Sequence, residues 1–257
     1  MALPQGWIAP EWPLPPNVRA VCTTRAGGYS RAPYDSLNLG DHVGDTPEAV
    51  AANRALLAEA IRARPVFLDQ VHGHATALLT GKGPDGTTAD ACITTTPGIA
   101  CTIMVADCLP VLLALRDGRA VAAAHAGWRG LAGSGGRGVL EAVWESLRER
   151  TGAQAHETMA WLGPCIGPAA FEVGPEVRAA FEAVDSGVAA LFQPHGPGKW
   201  LADLPGLARR RLQALGLTRH YGNDGSPGWC TVANPSLFFS HRRDRVSGRF
   251  AACIWRL

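Results

Sequence analysis

The sequence has 257 residues, of which 47% are hydrophobic and 18% charged, and its formal net charge is +2. This composition is typical of a globular protein with a sizeable core, and the near balance of charge excludes a strong electrostatic preference for nucleic acid or membrane surfaces. No run of about 18 uncharged apolar residues is present, so we expect no transmembrane helix. The seven cysteines form no Cys-x-x-Cys pair, and their odd number favours a reducing, cytoplasmic location over a disulfide framework.

The first part of the chain predicts an arm, a strand, a loop and a helix. Residues 1–17 are rich in proline and predict an irregular arm that docks on the surface. Residues 18–24 predict a strand. Residues 25–45 predict a long functional loop, because they are rich in Gly, Ser, Asn and Asp without periodicity. Residues 46–63 predict a helix with a threonine N-cap and a proline at its first position.

Short apolar runs and helical patterns alternate irregularly through the rest of the chain. The runs predict strands at 65–73, 75–80, 91–95, 99–105, 110–116, 119–125, 158–167 and 248–257. Helices are expected at 137–150, 175–184 and 204–216. Because strands and helices are mixed without regular βαβ alternation, and no repeat or linker divides the chain, we predict a single α+β or mixed α/β domain over residues 1–257.

Three of the predicted strands lead into a residue that could bind a metal. These residues are His72 in DQVHG, Cys108 in VADCLP and His125 in AAAHAGWRG. Strand ends and the loops that follow them commonly carry functional side chains. Two imidazoles and one thiolate are good zinc ligands, and three protein ligands leave a fourth position open, as in catalytic zinc sites. Such an ion lowers the pKa of bound water to about 7.

The residues alone leave other interpretations open. The three candidates form no short ligand pattern, so each histidine could be a hydrogen-bonded structural residue and Cys108 a small buried hydrophobe. Alternatively, Cys108 could be a nucleophile with His72 or His125 as its base. Its neighbour Asp107 could orient a ligand histidine or accept a proton, or it could cap a turn.

Polar residues elsewhere offer weaker candidates. Asn38, on the long loop, could reach into a cleft or form an Asx-turn. Arg54, on the first helix, could meet an anion or be exposed. The segment FFSHRRD places His241, Arg242 and Arg243 after two aromatic residues. If this segment is a strand, its side chains alternate between two faces, and one arginine would point into the protein. A buried arginine requires an acidic side chain or a phosphate as partner.

Several motifs together resemble a known family. The motifs, in chain order, are TTRAGGYSRAPYDSLNLGDHVGD, NRALL, DQVHG, ADCLPV, AHAGWRG, GPCIG and FFSHRRDRVSGR. They resemble those of the YfiH-type family, first labelled multicopper polyphenol oxidase (laccase) and now described as purine nucleoside phosphorylase with adenosine deaminase activity. The resemblance runs from about Thr23 to the C terminus. It implies the YfiH-like fold, in which layered mixed β-sheets are flanked by helices.

The resemblance also implies a site. His72, Cys108 and His125 match the metal ligands of the family, for which zinc is usually given and copper in older descriptions. The family's FFSYRR segment reads FFSHRR here, so His241 replaces a tyrosine and adds a possible proton carrier. We expect Cys108, Asp107 and His241 to take part in catalysis. The residues expected to bind substrate, with the arginines as candidates for phosphate, are Asn38, Arg54, Arg129 and Arg242.

Three functions follow from these expectations. The first is a zinc-dependent purine nucleoside phosphorylase with adenosine deaminase activity, whose substrates are phosphate and adenosine, inosine, guanosine or S-methyl-5′-thioadenosine. The second is a hydrolase that edits peptidoglycan precursors at the same metal or cysteine site. The third is a copper-dependent polyphenol oxidase or a non-catalytic metal-binding protein. Multicopper oxidases use many more than three ligands, often in His-x-His runs, and HGH at 72–74 is the one such pair in the sequence.

Overall fold

The computed structural model describes residues 3–83 and 85–257. Its strands are β1 (Val18–Cys22), β2 (Arg64–Val66), β3 (Thr76–Leu78), β4 (Ala91–Thr94), β5 (Ile99–Val105), β6 (Leu109–Leu115), β7 (Val121–Ala126), β8 (Thr158–Leu162), β9 (Glu172–Val173), β10 (Phe192–Pro194), β11 (Trp200–Ala202), β12 (Arg219–Gly222) and β13 (Phe250–Arg256). Its α-helices are α1 (Pro47–Ile61), α2 (Trp128–Ala132), α3 (Val139–Thr151), α4 (Pro175–Glu182), α5 (Leu204–Ala214) and α6 (His241–Asp244). The expected mixture of α and β structure is confirmed.

Two large mixed sheets organise the described residues. One has four strands in the order β1-β13-β5-β2, with β2 parallel to β5 and the other pairs antiparallel. The other has six strands in the order β12-β8-β6-β7-β4-β3, with parallel pairs at both edges. A small antiparallel sheet, β10-β11-β9, lies apart from them.

The two large sheets stack face to face over a shared apolar layer. Along β5, Cys101, Ile103 and Val105 pack into this layer with side chains of β6, β7 and β13. The alternate residues Ala100 and Met104 belong to a different cluster on the opposite face of the sheet. This alternation follows from the two-residue period of a strand, and every residue of β5 is buried because both faces are covered.

Helices cover the outer face of each sheet. Helix α1 packs on the four-stranded sheet through Leu57 and Ile61, and burial of each such side chain contributes about 1.5–3 kcal/mol. Helix α1 begins at the predicted position, with Thr46 in an extended conformation and proline in the first turn, but the Thr46 side chain makes no capping hydrogen bond. Helix α3 packs on the six-stranded sheet, and α4 and α5 join the same apolar cluster, α4 beside α2 and α5 beside α3. No helix among residues 3–83 and 85–257 is both long and apolar enough to cross a membrane.

The predicted N-terminal arm has little regular structure and is fixed at two points. Trp7 is buried, and Ile8 exchanges two backbone hydrogen bonds with Cys22 of β1, with N–O distances of 2.8 and 2.9 Å. The arm therefore docks against the four-stranded sheet. Its first two residues lie outside the described part of the chain.

Three sequence predictions are corrected by the structure. The strand expected at 65–73 is short, because the side-chain amide of Gln70, not the backbone, pairs with Met104 of β5. The strand expected at 158–167 ends at Leu162. The alternation expected at 241–243 is absent, since these residues begin helix α6, and Ser240 caps it by accepting a hydrogen bond from the Arg243 amide. Helix α2 and strands β9 to β12 were not predicted.

Candidate metal centre and cavity

The buried histidine of the site lies near the end of β7. Residues Val121 and Ala123 of this strand pack between the two large sheets, and His125 follows the same two-residue alternation. Its side chain is therefore directed toward the layer between the sheets, at the end where β7 leads into α2. The histidine is 4% exposed, so its polar ring requires partners within the protein.

The thiol lies in the connection that crosses from one sheet to the other. Strand β5 ends at Val105 and β6 begins at Leu109, so Asp107 and Cys108 form the turn between them. Asp107 has a φ of 88°, in the left-handed region that favours glycine. Its carboxylate is held by a 2.6 Å hydrogen bond from the Thr231 hydroxyl and another of 2.6 Å from the Arg242 amide. These contacts hold the turn in its conformation and thereby fix the position of Cys108.

The third residue of the site, His72, projects from the loop that follows β2. Its backbone also has a positive φ, 61°. The amides of Val71, His72 and Gly73 all donate to the carboxylate of Asp90, at 3.2, 2.9 and 2.6 Å. Asp90, immediately before β4, also accepts a 2.8 Å hydrogen bond from Nδ1 of His125. One buried carboxylate thus contacts both histidine segments.

The side chains of His72, Cys108 and His125 converge. One ligand atom from each lies within 4.8 Å of the other two, and Cys108 Sγ is 3.6 Å from Nε2 of His72. In a tetrahedral zinc site, bond lengths of about 2.0–2.3 Å place neighbouring ligand atoms about 3.3–3.6 Å apart. The sulfur and the His72 nitrogen already satisfy this spacing. The donor set therefore fits a divalent metal ion after a closure of about 1 Å.

The electrostatics of the cluster favour the thiolate. Burial raises the pKa of the Cys108 thiol, but the charge of His125 and hydrogen bonds from both histidines outweigh it and lower the pKa to about 6. Burial lowers the pKa of His125, but the Cys108 thiolate and Asp90 outweigh it and raise the pKa to about 9. Burial likewise opposes ionisation of Asp90, yet the hydrogen bonds it accepts leave its pKa below the ordinary value. Because the thiolate is the form that binds metal, the site is prepared for a cation.

Two glycines of the HAGWRG segment permit the close approach of these elements. A Cβ atom on Gly127 would lie 2.8 Å from Cδ2 of His72 and 2.9 Å from Sγ of Cys108. A Cβ on Gly130 would lie 2.6 Å from the backbone oxygen of Gly73. Helix α2 can therefore lie against the His72 loop and the thiol only because these positions lack side chains.

The cluster opens into a cavity of about 410 Å³. One part of its wall is apolar, with Met104, Trp128, Ile166, Phe171 and Leu204. The volume lies within the usual range of about 300–1,000 Å³ for small-molecule sites, which combine apolar walls with a few polar groups.

Another part of the wall is cationic. It carries Arg242, Arg245 and Arg249, with His42 and His241 nearby. Burial lowers the pKa of His42, and the positive charge of Arg249 lowers it further. Among the described lining residues the acidic side chain is Asp107, and both of its oxygens already accept hydrogen bonds. The cavity is therefore suited to an anion.

The residues predicted to bind substrate are dispersed by the fold. Of the four, Arg242 lines the cavity. Asn38 is buried, and its Oδ1 accepts hydrogen bonds from the amides of Gly40 and Arg249, at 2.9 and 2.8 Å. It thus holds the backbone of a cavity arginine, without itself lining the cavity.

The other two predicted arginines are engaged elsewhere. Arg54 donates to the Leu39 carbonyl at 2.9 Å, pairs with Asp41 at 3.1 Å and lies over the ring of Phe67. Arg129 is exposed and lies over the indole of Trp128, with its guanidinium carbon 4.4 Å from the ring centroid. Neither lines the cavity.

The expected catalytic residues also have distinct surroundings. Cys108 and His241 line the cavity, and His241 is exposed at its rim. Asp107 lines it as well, but its hydrogen bonds go to Thr231 and Arg242 and not to a candidate ligand. Of the alternatives for Asp107, orientation of a ligand histidine is not what the contacts show, because the carboxylate that contacts His125 is Asp90.

Asp90, Arg245 and Arg249 were missed by the sequence reasoning. A single aspartate before the apolar run ACIT is indistinguishable from a turn residue without the fold. Arg245 and Arg249 could have been found from the sequence, since both lie in the motif RDRVSGR that follows the predicted residues His241 and Arg242.

Comparison with known proteins identifies the family. A sequence model of the family described as multi-copper polyphenol oxidoreductase laccase matches residues 19–257. The chain belongs to this family. Other proteins similar to it carry a different name, purine nucleoside phosphorylase. One, from Pseudomonas aeruginosa, is 50% identical over 250 residues, which cover 97% of this chain and 98% of the relative.

Two further relatives support membership of this laccase-like family and its fold. Purine nucleoside phosphorylase YfiH from Escherichia coli is 48% identical over 250 residues, covering 96% of this chain and 98% of the relative. The crystal structure of a Neisseria meningitidis protein superposes with a TM-score of 0.87 at 42% identity, covering 98% of this chain and 99% of that one. The predicted resemblance to YfiH-type proteins and the layered YfiH-like fold are both confirmed.

Proposed function

We propose that this chain is a zinc-dependent purine nucleoside phosphorylase that also deaminates adenosine. One observation carries the proposal: the His72–Cys108–His125 cluster and three arginines face the same cavity. The names of the relatives from Pseudomonas aeruginosa and Escherichia coli support the same activity. The proposed substrates are adenosine, inosine, guanosine and S-methyl-5′-thioadenosine, with phosphate as the second substrate.

Phosphorolysis requires an anion held beside the sugar. A phosphate oxygen forms the new bond to C1′ of the ribose, and the N-glycosidic bond breaks with its electron pair leaving on the purine, which takes up a proton. Arg242, Arg245 and Arg249 supply fixed positive charge and N–H donors for the phosphate. The apolar wall, which includes Trp128 and Phe171, excludes water from the base and sugar. We assign the proton delivered to the purine to His241.

The candidate metal site supplies the chemistry for deamination. His72, Cys108 and His125 would hold the ion, and zinc when bound supplies a Lewis acid that makes hydroxide available near neutral pH. Deamination at C6 of adenine uses hydroxide of this kind. The protein's own part would be to hold the three ligand side chains in place and to bind the nucleoside against the apolar wall.

Zinc is favoured over copper by the donor set. A thiolate with two imidazoles in a three-ligand arrangement is typical of catalytic zinc. A multicopper oxidase needs several histidine-rich sites, whereas the described residues bring together one cluster of three ligands. Elemental analysis of the purified protein distinguishes the two metals, and about one zinc per chain is expected.

Product analysis tests the proposed activity. Purified protein is incubated with adenosine, with and without phosphate. Adenine and ribose 1-phosphate formed only with phosphate indicate phosphorolysis, and inosine formed without phosphate indicates deamination. If zinc-loaded protein yields neither set of products, the proposed activity is wrong.

Two arginines provide a matched test of the phosphate site. Arg242 lines the cavity, whereas Arg129 is exposed, packs on the ring of Trp128 and does not line the cavity. We expect Arg242→Ala to raise the KM for phosphate about tenfold or more, because one charge-assisted contact is worth about 1.5–3 kcal/mol. Arg129→Ala should leave this KM unchanged. Equal effects of the two substitutions would contradict the placement of phosphate.

A second candidate function is favoured by the contact between Cys108 and His72. Their 3.6 Å separation and the low pKa of the thiol are also features of a cysteine hydrolase, such as one that edits peptidoglycan precursors. Cys108→Ser separates the two functions. It removes a metal ligand if the residue holds zinc, whereas zinc content is largely retained if the residue is only a nucleophile.

A further inference from the structure

Among the described residues, Asp90 is the one carboxylate that contacts two of the three chain segments that carry the candidate metal ligands. Its side chain is fully buried and accepts four hydrogen bonds, of 2.6 to 3.2 Å, from the amides of residues 71–73 and from Nδ1 of His125. Its backbone oxygen also accepts a 2.7 Å hydrogen bond from the His125 amide. A buried charge with this number of donors is fully satisfied and therefore rigid.

The contact with His125 determines which ring nitrogen faces the cluster. A carboxylate can only accept, so the proton shared with Asp90 belongs to Nδ1 of the histidine. The lone pair of the neutral ring is then on Nε2, on the side of Cys108 and the cavity. Hydrogen bonding of the second ring nitrogen to a carboxylate is the usual way in which proteins orient metal-binding histidines.

The contacts with residues 71–73 determine the position of the other histidine. Three consecutive amides can converge on one anion only when the backbone between them is bent, as in an anion-binding nest. His72 supplies the bend through its positive φ of 61°, which costs energy for a residue other than glycine. The negative charge of Asp90 offsets that cost and holds the exposed His72 ring beside Cys108.

We propose that Asp90 is the positioning residue of the metal centre, fixing His72 and His125 relative to each other through a single side chain. This inference rests on the proposed function only in that the cluster binds a metal. It predicts that the two histidines cannot be positioned independently. Loss of Asp90 should affect metal binding more strongly than the loss of one ordinary buried hydrogen bond, because two ligands move together.

The test compares Asp90→Asn with Asp69→Asn in full-length protein. Asp90→Asn keeps the size of the side chain, but the amide nitrogen it introduces cannot accept hydrogen bonds. Asp69 lies on the same loop and bonds to Thr88 but to none of the three ligands. Zinc affinity is measured by competition with a chromophoric chelator, and the melting temperature of each metal-free variant is recorded beside it. We expect D90N to bind zinc about 10- to 100-fold more weakly and D69N to bind it as the wild type does.

A purely structural role would give a different pattern. It would lower the melting temperature of metal-free D90N while the folded fraction bound zinc with unchanged affinity, and that result would overturn the proposal. If D90N does not fold, D90E, which keeps the charge but displaces it, takes its place with the same expected loss.

A measurement on the wild-type protein keeps this inference separate from the proposed function. Nitrogen-15 NMR of metal-free protein, recorded above pH 9 so that the His125 ring is neutral, should show the proton on Nδ1, and a proton on Nε2 alone would overturn the proposal. If the wild type bound no zinc but the ring had the expected tautomer, the proposed metal-dependent function would fail while the positioning of His125 by Asp90 stood.

Discussion

Replacement of Gly127 by alanine is the most direct test of the geometry of the cluster. The backbone at this position has φ −65° and ψ 155°, which any residue can adopt, so the substitution introduces no backbone strain. The added methyl carbon would lie 2.8 Å from a ring carbon of His72 and 2.9 Å from the sulfur of Cys108. Both atoms belong to candidate metal ligands, and the effect should therefore be concentrated at the site.

The size of the effect follows from the overlap. Carbon atoms at optimal contact are about 3.5–4.0 Å apart, so the contact with the His72 ring carbon is too short by about 0.7–1.2 Å, and the contact with the larger sulfur is too short by at least about 0.6 Å. Overpacking of this kind typically costs about 1–3 kcal/mol. If the ligands move to relieve it, the cost appears in metal binding, and it corresponds to about a 5- to 150-fold loss of affinity.

The assay measures zinc affinity by chelator competition together with the melting temperature of the metal-free protein. We expect G127A to bind zinc more weakly within this range and to lose little stability without metal. Gly228→Ala is the control, because a Cβ there meets no atom within 4 Å. Wild-type zinc affinity in G127A would refute the reasoning, since it would mean that His72 and Cys108 do not converge beside this glycine.

Three further predictions concern the thiol and the cavity. Cys108→Ser should abolish stoichiometric zinc binding, measured by elemental analysis, while circular dichroism shows an unchanged fold. In metal-free protein, iodoacetamide should label Cys108 before the other cysteines. The labelling rate should be maximal well above pH 6 and should decrease below pH 6, where the thiolate is protonated, and bound zinc should block the labelling. Peptide mapping that finds another cysteine labelled first would contradict the pKa of about 6. Asn38→Ala leaves the buried amides of Gly40 and Arg249 without an acceptor, so we expect about 1–3 kcal/mol of destabilisation in urea and a higher KM for phosphate.

The strands that carry the site could be predicted because their sequence signal is local. Strands β5, β6 and β7 are buried throughout and mainly apolar, since both faces of each sheet are covered, and β7 ends within one residue of His125. The ligand residues at these ends could therefore be named from sequence. That they meet depends on the stacking of two sheets, and no local pattern encodes this stacking.

Other elements could not be predicted because distant residues determine them. Helix α6 has four residues, and its N-terminal amides are bonded by Ser240 and by Asp107, 135 positions away in the chain from Arg242. Strands β9 to β12 have two to four residues, too few to show a two-residue period. The single-domain organisation over residues 1–257 stays a prediction.

The role of individual polar residues was the least predictable part. Asn38, on the long loop, was expected to reach a cleft, but it holds the amides of Gly40 and Arg249. Arg54, on helix α1, was expected to meet an anion, but it donates to the Leu39 carbonyl of the loop. Whether a polar side chain on a loop faces a ligand or the loop's own backbone depends on which carbonyls and amides the fold leaves unpaired. That information appears only in three dimensions.

The turn at residues 106–108 joins the two stacked sheets and also bears the thiol. The loop that carries His72 also spans the sheets, because it is bonded through Gln70 to β5 and through the amides of residues 71–73 to Asp90 beside β4. Any change that widens the gap between the sheets would therefore strain this loop, whereas Cys108 and His125 stay beside the paired strands β6 and β7. A bound ion would therefore connect the two layers. Mutations in the distant interlayer core, such as at Ile103 or Trp161, should be detected first as faster release of metal.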